Sequence, residues 1–139
     1  MNNPRATIAP VIETQRTILR AHRLGDFDAY AVMWTDPVVT RFIGEAGFHD
    51  LKRDIQPSIE GIPEAGWALA PAIHGAGFAT EVVGRVLAWG EETFGSARTV
   101  CIIDPENAAS LNVATKCGYR EVVRTTYHDA PTILLERLP

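Results

Sequence analysis

Cysteine is scarce in this sequence. Cys101 and Cys117 are the only two among 139 residues, and there are only four histidines. The cysteines fall in segments typical of a strand and a helix, without the CxxC spacing or neighbouring His pair of a zinc or redox motif. We therefore expect no metal site and two reduced, buried thiols in a cytoplasmic protein.

Long apolar runs and clusters of positive charge are also missing. No hydrophobic stretch approaches the ~20 residues that cross a bilayer, and residues 1–4 lack the features of a secretory signal. The 13 basic and 17 acidic residues are spread along the chain and give a net charge of −4. Nucleic-acid-binding proteins usually concentrate positive charge on one face. We expect neither a membrane nor a nucleic acid as a partner.

The composition is that of an ordinary globular protein, with 46% hydrophobic and 22% charged residues, and the length corresponds to about one domain. Residues 1–13 carry Pro4 and Pro10 and little periodicity. They are expected to form a loose N-terminal arm, and residues 14–139 a single domain.

Hydrophobic periodicity predicts the element order β-α-β-β-α-β-α-β-β. Asp26 is the expected cap of the first helix, and the uniformly apolar strand at 99–103 is expected to be buried on both faces. This order predicts an α/β (α+β) fold with one mixed sheet and helices packed on it. The predicted strands cover about 16–20, 41–48, 65–70, 99–103, 119–127 and 132–137, and the predicted helices cover about 26–34, 78–94 and 107–117.

The most informative segment is a buried strand from Trp67, a proline, a short glycine-rich loop and a helix N-terminus. The first turn of a helix offers unpaired N–H groups and a partial positive charge. Gly75 and Gly77 have no side chain that would keep a phosphate away from those amides. The segment therefore predicts an anion site.

Two well-known phosphate loops do not match this segment. A P-loop requires Lys-Ser/Thr after its last glycine, where this chain has Phe78-Ala79. A dinucleotide-binding fingerprint requires a third glycine where Thr80 stands. Both classes are therefore disfavoured.

A third loop does match. The run from Leu69 through His74-Gly75-Ala76-Gly77 resembles the pyrophosphate motif of the GCN5-related N-acetyltransferase (GNAT) superfamily. Asn107-Ala108-Ala109-Ser110 and Lys116-Cys117-Gly118-Tyr119 are similar to signatures of its ribosomal-protein-alanine acetyltransferase branch. The resemblance covers roughly residues 13–137. It implies the acyl-CoA N-acyltransferase fold and transfer of an acetyl group from acetyl-CoA to a primary amine, either a protein N-terminal α-amine or a small amine.

The resemblance also implies the cofactor-binding residues. His74 stands where the family usually has Arg or Gln, so a fixed positive charge is absent; an imidazole could regain one near its ordinary pKa of ~6.5. Asn107 suits both the pantetheine arm and a simple helix cap. The implied residues are Trp67, Leu69, His74, Gly75, Ala76, Gly77, Phe78, Ala79, Thr80, Asn107 and Ser110.

Acetyl transfer requires removal of a proton from the amine and protonation of the leaving thiolate. Glu64, at the start of the strand that would present the acetyl group, is a candidate base, or else a structural carboxylate paired with a neighbour. Ser110 is the candidate acid, because the position of the family's usual tyrosine is Ala114. The backbone N–H of Leu69 or Ala70 could serve as an oxyanion donor.

One stretch departs from the family pattern. Arg41-Phe42-Ile43-Gly44 fits two separate family contexts, so we expect an internal deletion of a few dozen residues after Gly44 and the loss of one or two strands of the usual sheet. An exposed sheet edge is normally paired or covered, and this predicts a homodimer. The alternative function is a catalytically inactive acyl-CoA-binding or dimer-forming relative.

Overall fold

The structure is a computed structural model that describes residues 9–40 and 53–139. The strand predicted at 41–48, with the proposed deletion point, lies outside the described residues, as do residues 1–8 of the predicted arm. The five strands and four α-helices introduced below are those of the described ranges.

The N-terminal segment forms a small hairpin in which β1 (Ile12–Glu13) pairs antiparallel with β2 (Ile18–Leu19). Thr14 closes the turn, because its hydroxyl accepts a hydrogen bond of 2.9 Å from the Thr17 N–H. Ile12 is buried. The end of the predicted loose arm is therefore an ordered strand. Of the strand predicted at 16–20, only Ile18–Leu19 is formed.

The first helix, α1 (Phe27–Thr35), follows a 3-10 turn and is succeeded by the short α2 (Pro37–Thr40). Asp36 is extended between them, as expected for a residue that precedes proline. Asp26 is not the side-chain cap of α1. Its carboxylate instead accepts from the Arg23 N–H and pairs with Arg20, so Asp26 is the N-cap residue of α1, as predicted, but without a capping hydrogen bond to its side chain.

The strand predicted at 65–70 is also not formed as a ladder. Among the described residues, the one bridge here is parallel and lies just before the predicted strand, between Glu64 and Val100; the Ala65 N–H donates to the Val100 carbonyl at 2.8 Å. The following residues leave the neighbouring strand and enter a 3-10 turn at Pro71–Ile73. An apolar run without ladder partners cannot be assigned as a strand, and here it instead lines a cleft.

The remaining elements agree closely with the predictions. α3 (Phe78–Phe94), β3 (Thr99–Ile103) and α4 (Ala108–Lys116) precede a hairpin of β4 (Arg120–Tyr127) and β5 (Ala130–Arg137). These strands form an antiparallel sheet in the order β3-β5-β4. The two turn residues of the hairpin, His128 and Asp129, both have positive φ, as this type of turn requires.

The core lies on both faces of β3 and β5, as predicted for the apolar β3. On one face Cys101 and Ile133 pack with Val83 of α3 and Ala114 of α4. On the other face a second cluster packs together, formed by Ile55, Ile59, Val100 and Leu134. The fold has the mixed α/β content that was predicted, and the strands of the described residues form two antiparallel sheets.

Both thiols are free. Cys101 is buried as predicted, and this burial raises the pKa of its thiol well above the ordinary range. Cys117 is only half-buried, and burial raises the pKa of its thiol as well. Both side chains are therefore expected to remain neutral thiols at neutral pH.

Candidate functional site

A cleft of about 410 Å³ lies between the N-terminal end of α3 and one side of α4. Its volume is within the range of small-molecule sites. The structure brings ten of the residues predicted to bind a cofactor to the wall of this cleft; they are Trp67, Leu69, His74, Gly75, Gly77, Phe78, Ala79, Thr80, Asn107 and Ser110.

The glycine loop has the backbone conformation that its sequence predicts. Gly75 and Gly77 have φ angles of 75° and 79°, in the left-handed region that side chains disfavour. Gly77 is also the N-cap residue of α3. Because the first hydrogen bond of the helix runs from the Glu81 N–H to the Gly77 carbonyl, the amides between them have no acceptor within the helix. The loop therefore presents amide donors beside the positive end of a helix dipole.

His74 spans the turn that leads into this loop. Its Nε2 atom lies 2.7 Å from the Leu69 carbonyl oxygen, and since a carbonyl only accepts, Nε2 carries the hydrogen and donates. The imidazole therefore holds the two ends of the Leu69–His74 turn together. This structural contact of His74 was not predicted from the sequence, where His74 was only compared with the Arg or Gln that the family usually has at this position.

Arg16 reaches the loop from the N-terminal hairpin. Its Nη1 atom donates to the Ala76 carbonyl at 2.8 Å, and its Nε atom pairs with Glu81 Oε1 at 2.9 Å. The guanidinium carbon lies 4.1 Å from the centroid of the Phe78 ring. Hydrogen bonds from the Thr14 hydroxyl and from Arg16 lower the pKa of Glu81. Ala76 itself does not line the cleft and contributes a carbonyl to this cluster.

α4 contributes a regular stripe to the opposite wall. Asn107, Ser110, Val113 and Lys116 all line the cleft, and their spacing of three residues places them on one side of the helix. Asn107 is also the cap, because its Oδ1 atom accepts from the Ser110 N–H at 3.1 Å. The cap interpretation of Asn107 is therefore confirmed, and it is compatible with a place on the cleft wall.

The charge of the cleft suits an anion. Among the described residues that line it, none carries a carboxylate, and the titratable side chains are His74 and Lys116. Lys116 lies in the last turn of α4. Together with the amides at the start of α3, this lysine makes the cleft electropositive.

The model of the acetyltransferase (GNAT) domain family matches residues 39–120, which is more than half of the chain. The chain belongs to the GNAT acetyltransferase family. The match includes the glycine loop and α4, and therefore both walls of the cleft.

Solved structures of GNAT proteins have the same fold. A GnaT-family acetyltransferase from Bordetella pertussis superposes with a TM-score of 0.73 at 25% identity, over 93% of this chain and 99% of that chain. A GNAT-family acetyltransferase from Bacillus anthracis superposes with a TM-score of 0.75 at 20% identity, over 93% of this chain and 98% of that chain. The aminoglycoside acetyltransferase AAC(6')-Ib in complex with coenzyme A superposes with a TM-score of 0.51 at 15% identity, over 57% of this chain and 46% of that chain. The last two show a shared fold alone.

Within this GNAT domain, Glu64 is not one of the residues that line the cleft. Its Oε2 atom is 2.7 Å from Arg53 Nε, and the two side chains are 9% and 8% exposed. The Arg53 guanidinium lies 5.0 Å from the ring centroid of Tyr127. Burial works against the charge of Arg53, but the interactions with Glu64 and, to a smaller extent, with Tyr127 together outweigh it and raise the Arg53 pKa. The structure therefore gives Glu64 a buried ion-pair partner that the sequence analysis left unnamed.

No cluster of three or more His, Cys, Asp or Glu side chains has the geometry of a metal site in residues 9–40 and 53–139. In the same ranges, no helix has the length and apolarity that a transmembrane span requires.

The sequence analysis missed two basic residues at the site, Lys116 and Arg16. The three-residue spacing from Asn107 would have identified Lys116, because the helix was predicted correctly. No local signal identifies Arg16, since its contacts with the loop join residues that are 60 positions apart.

Proposed function

We propose that this GNAT protein transfers the acetyl group of acetyl-CoA to a primary amine. One observation carries the proposal: two walls from separate parts of the chain, the glycine loop at α3 and the stripe on α4, meet at one electropositive cleft. The coenzyme A seen with AAC(6')-Ib supports the choice of ligand.

The residues of the cleft fit the parts of acetyl-CoA. The amides from Gly75 to Thr80 would hold the pyrophosphate, because those of Phe78, Ala79 and Thr80 have no acceptor within α3 and lie at its positive end. Lys116 would add the fixed positive charge that His74 does not supply. The chain departs from β3 after Glu64. The backbone edge of Trp67–Leu69 would therefore face the pantetheine arm.

The chemistry calls for a donor to the departing thiolate and an acceptor for the amine proton. Ser110 lines the cleft beside the Asn107 cap, and we assign its hydroxyl the donor role. The N–H groups of Leu69 and Ala70 are candidates for polarising the thioester carbonyl. As the amine nitrogen bonds to the acetyl carbon, the carbon–sulfur bond breaks. The proton that the amine loses passes to water, Ser110 protonates the sulfur and regains a proton from water, and coenzyme A leaves as the free thiol.

Glu64 has two possible roles. As the base it would have to receive the amine proton through water, since it does not line the cleft. Its buried ion pair with Arg53 favours the second role, a carboxylate that holds the start of the Glu64–Leu69 segment against β3. We propose the second role.

The acceptor class is a primary amine, either a protein N-terminal α-amine or a small amine. The signatures at Asn107–Ser110 and Lys116–Tyr119 support the α-amine, through the ribosomal-protein-alanine branch that they resemble. The aminoglycoside substrate class of AAC(6')-Ib supports the small amine. The internal deletion after Gly44, the homodimer and the cytoplasmic location stay predictions.

The direct test is to incubate the protein with acetyl-CoA and a panel of N-terminal peptides and small amines, and to follow the release of free thiol. We expect amine-dependent release with at least one class. Coenzyme A binding by calorimetry without any release would instead identify the inactive acyl-CoA-binding alternative. Absence of both binding and release would reject the proposed function.

A further inference from the structure

We propose that Arg16 is a positioning residue for the glycine loop, holding residues Gly75–Gly77 in the shape that receives the pyrophosphate of acetyl-CoA. This inference rests on the proposed function of the cleft. It assigns a role in cofactor binding to the N-terminal hairpin, a part of the chain that contributes nothing to the cleft wall.

The guanidinium of Arg16 contacts residues on both sides of Gly77. It donates to the Ala76 carbonyl at 2.8 Å, just before this glycine. Just after it, the guanidinium packs over the Phe78 ring at 4.1 Å and pairs with Glu81 at 2.9 Å. One planar group therefore fixes the direction in which the loop enters α3.

The loop needs such support because it has little of its own. His74 through Gly77 are exposed, and Gly77 caps α3 without a side-chain hydrogen bond. Glycine residues lose the most conformational freedom when they are ordered. A loop that is already ordered before the cofactor arrives binds more tightly, because this loss does not have to occur on binding.

Arg16 is itself held from the hairpin side. The backbone N–H of Arg16 donates to the Thr14 hydroxyl oxygen and to Glu81 Oε2, with a distance of 3.2 Å from the nitrogen to each oxygen. The Thr14 hydroxyl donates to the same Glu81 oxygen at 2.6 Å. Because Ile12 of β1 is buried, this small hairpin is anchored in the core and can serve as a fixed support.

A purely structural ion pair does not account for these contacts. The side chains of Arg16 and Glu81 are 40% and 20% exposed, and exposed ion pairs contribute little to stability. The contacts with the Ala76 carbonyl and the Phe78 ring act on the loop, not on the hairpin. Their expected effect is therefore on the affinity of a ligand that uses the loop.

The test compares two acetyl donors. Acetyl-CoA carries the pyrophosphate, whereas acetyl-pantetheine ends before it and cannot use the loop. Arg16→Ala should raise the KM for acetyl-CoA about tenfold, as expected for a site that loses its preorganisation, with kcat nearly unchanged. The KM for acetyl-pantetheine should stay the same. Arg16→Lys should not restore the wild-type KM, because an ammonium cannot bridge Ala76 and Glu81 while stacking on Phe78.

Arg20→Ala is the matched control. Arg20 belongs to the same N-terminal region and pairs with Asp26 at 2.7 Å, but it does not contact the loop. This variant should leave the KM for both donors unchanged. Circular dichroism and thermal melting establish whether each variant is folded. If Arg16→Ala does not fold, Arg16→Gln takes its place in the comparison.

Three results would overturn the inference: an unchanged KM for acetyl-CoA in the Arg16 variants, an equal loss with both donors, or a loss confined to kcat. If wild type shows no turnover, calorimetry with coenzyme A and pantetheine makes the same comparison. Equal coenzyme A affinity of wild type and Arg16→Ala would reject the role of Arg16 and leave the proposed function intact. Failure of the wild type to bind coenzyme A would reject both.

Discussion

Arg53 Nε lies 2.7 Å from Glu64 Oε2, and both side chains are more than nine-tenths buried. The pair lies at the parallel bridge to β3 between Glu64 and Val100. Removing one partner of a buried ion pair leaves the other charge without compensation, which usually costs more than removing both.

We therefore expect Glu64→Gln to lower the free energy of unfolding by about 3 kcal/mol, with kcat within a few-fold of wild type at saturating amine. Urea denaturation and thiol release measure the two quantities. The double variant Glu64→Gln/Arg53→Met should be more stable than the single variant, since neither charge is then left unpaired. A fall in kcat of ~10²-fold or more in a folded Glu64→Gln protein would instead make Glu64 the base.

The glycine loop gives a second prediction. Gly77→Val should reduce the calorimetric affinity for coenzyme A at least ~10-fold, because a branched side chain would resist the positive φ and crowd the Arg16 guanidinium, whose Nη2 atom lies 3.5 Å from the position of a Cβ atom on Gly77, and the loop would be distorted. Gly95 is a matched control, since it also has a positive φ, of 84°, and lies at the opposite end of α3. Gly95→Val should lose similar stability and keep its affinity. Unchanged coenzyme A affinity in a folded Gly77→Val variant would reject the loop as the site.

Much of this architecture could be predicted because its signals are local. The helical spacing of apolar residues correctly predicted both ends of α3. The uniformly apolar run at Thr99–Ile103 correctly predicted the bounds of β3 and its burial on both faces. The same helical reasoning places Asn107 and Ser110 on one wall. Local patterns are sufficient in these segments because each element forms largely from its own sequence.

Other features depend on which segments meet, and a single sequence does not contain that information. The apolar run at 65–70 resembles a strand, yet it bridges β3 only at Glu64. The hydrogen bond from His74 to Leu69 and the ion pair of Arg16 with Glu81 are tertiary contacts. Pairing with a neighbour was one of the two predicted roles of Glu64, but the partner could not be identified as Arg53.

Lys116 provides a third prediction. If it faces a phosphate of the cofactor, Lys116→Met should raise the KM for acetyl-CoA about fivefold, the effect of losing ~1 kcal/mol of exposed charge interaction, without changing kcat. The KM of the variant should also depend less on salt. Arg124→Met is the control, because Arg124 is exposed, pairs with Glu121 and does not line the cleft. Equal salt dependence in wild type and Lys116→Met would place Lys116 outside the phosphate site.

The contacts of Glu81 predict how acid acts on the Arg16 cluster. The hydrogen bonds from Thr14 and Arg16 lower its pKa below the ordinary value of 4.5 in the folded protein. The unfolded chain therefore takes up a proton at Glu81 at a higher pH than the folded protein does. The stabilisation by this carboxylate is fully present above pH 4.5 and is lost as the pH falls through the lowered folded pKa.

Glu81→Gln should consequently be less stable than wild type at pH 7, and the difference should shrink as the pH falls toward about 3. Urea denaturation over this range measures it. Glu92→Gln is the control on the same helix, because Glu92 is 65% exposed and lies 3.6 Å from Arg85; we expect it to change stability little at any pH. A stability difference for Glu81→Gln that stays constant down to pH 3 would show that the neutral carboxyl serves as well as the charged one. The hydrogen bonds to Thr14 and Arg16 would then not depend on its charge.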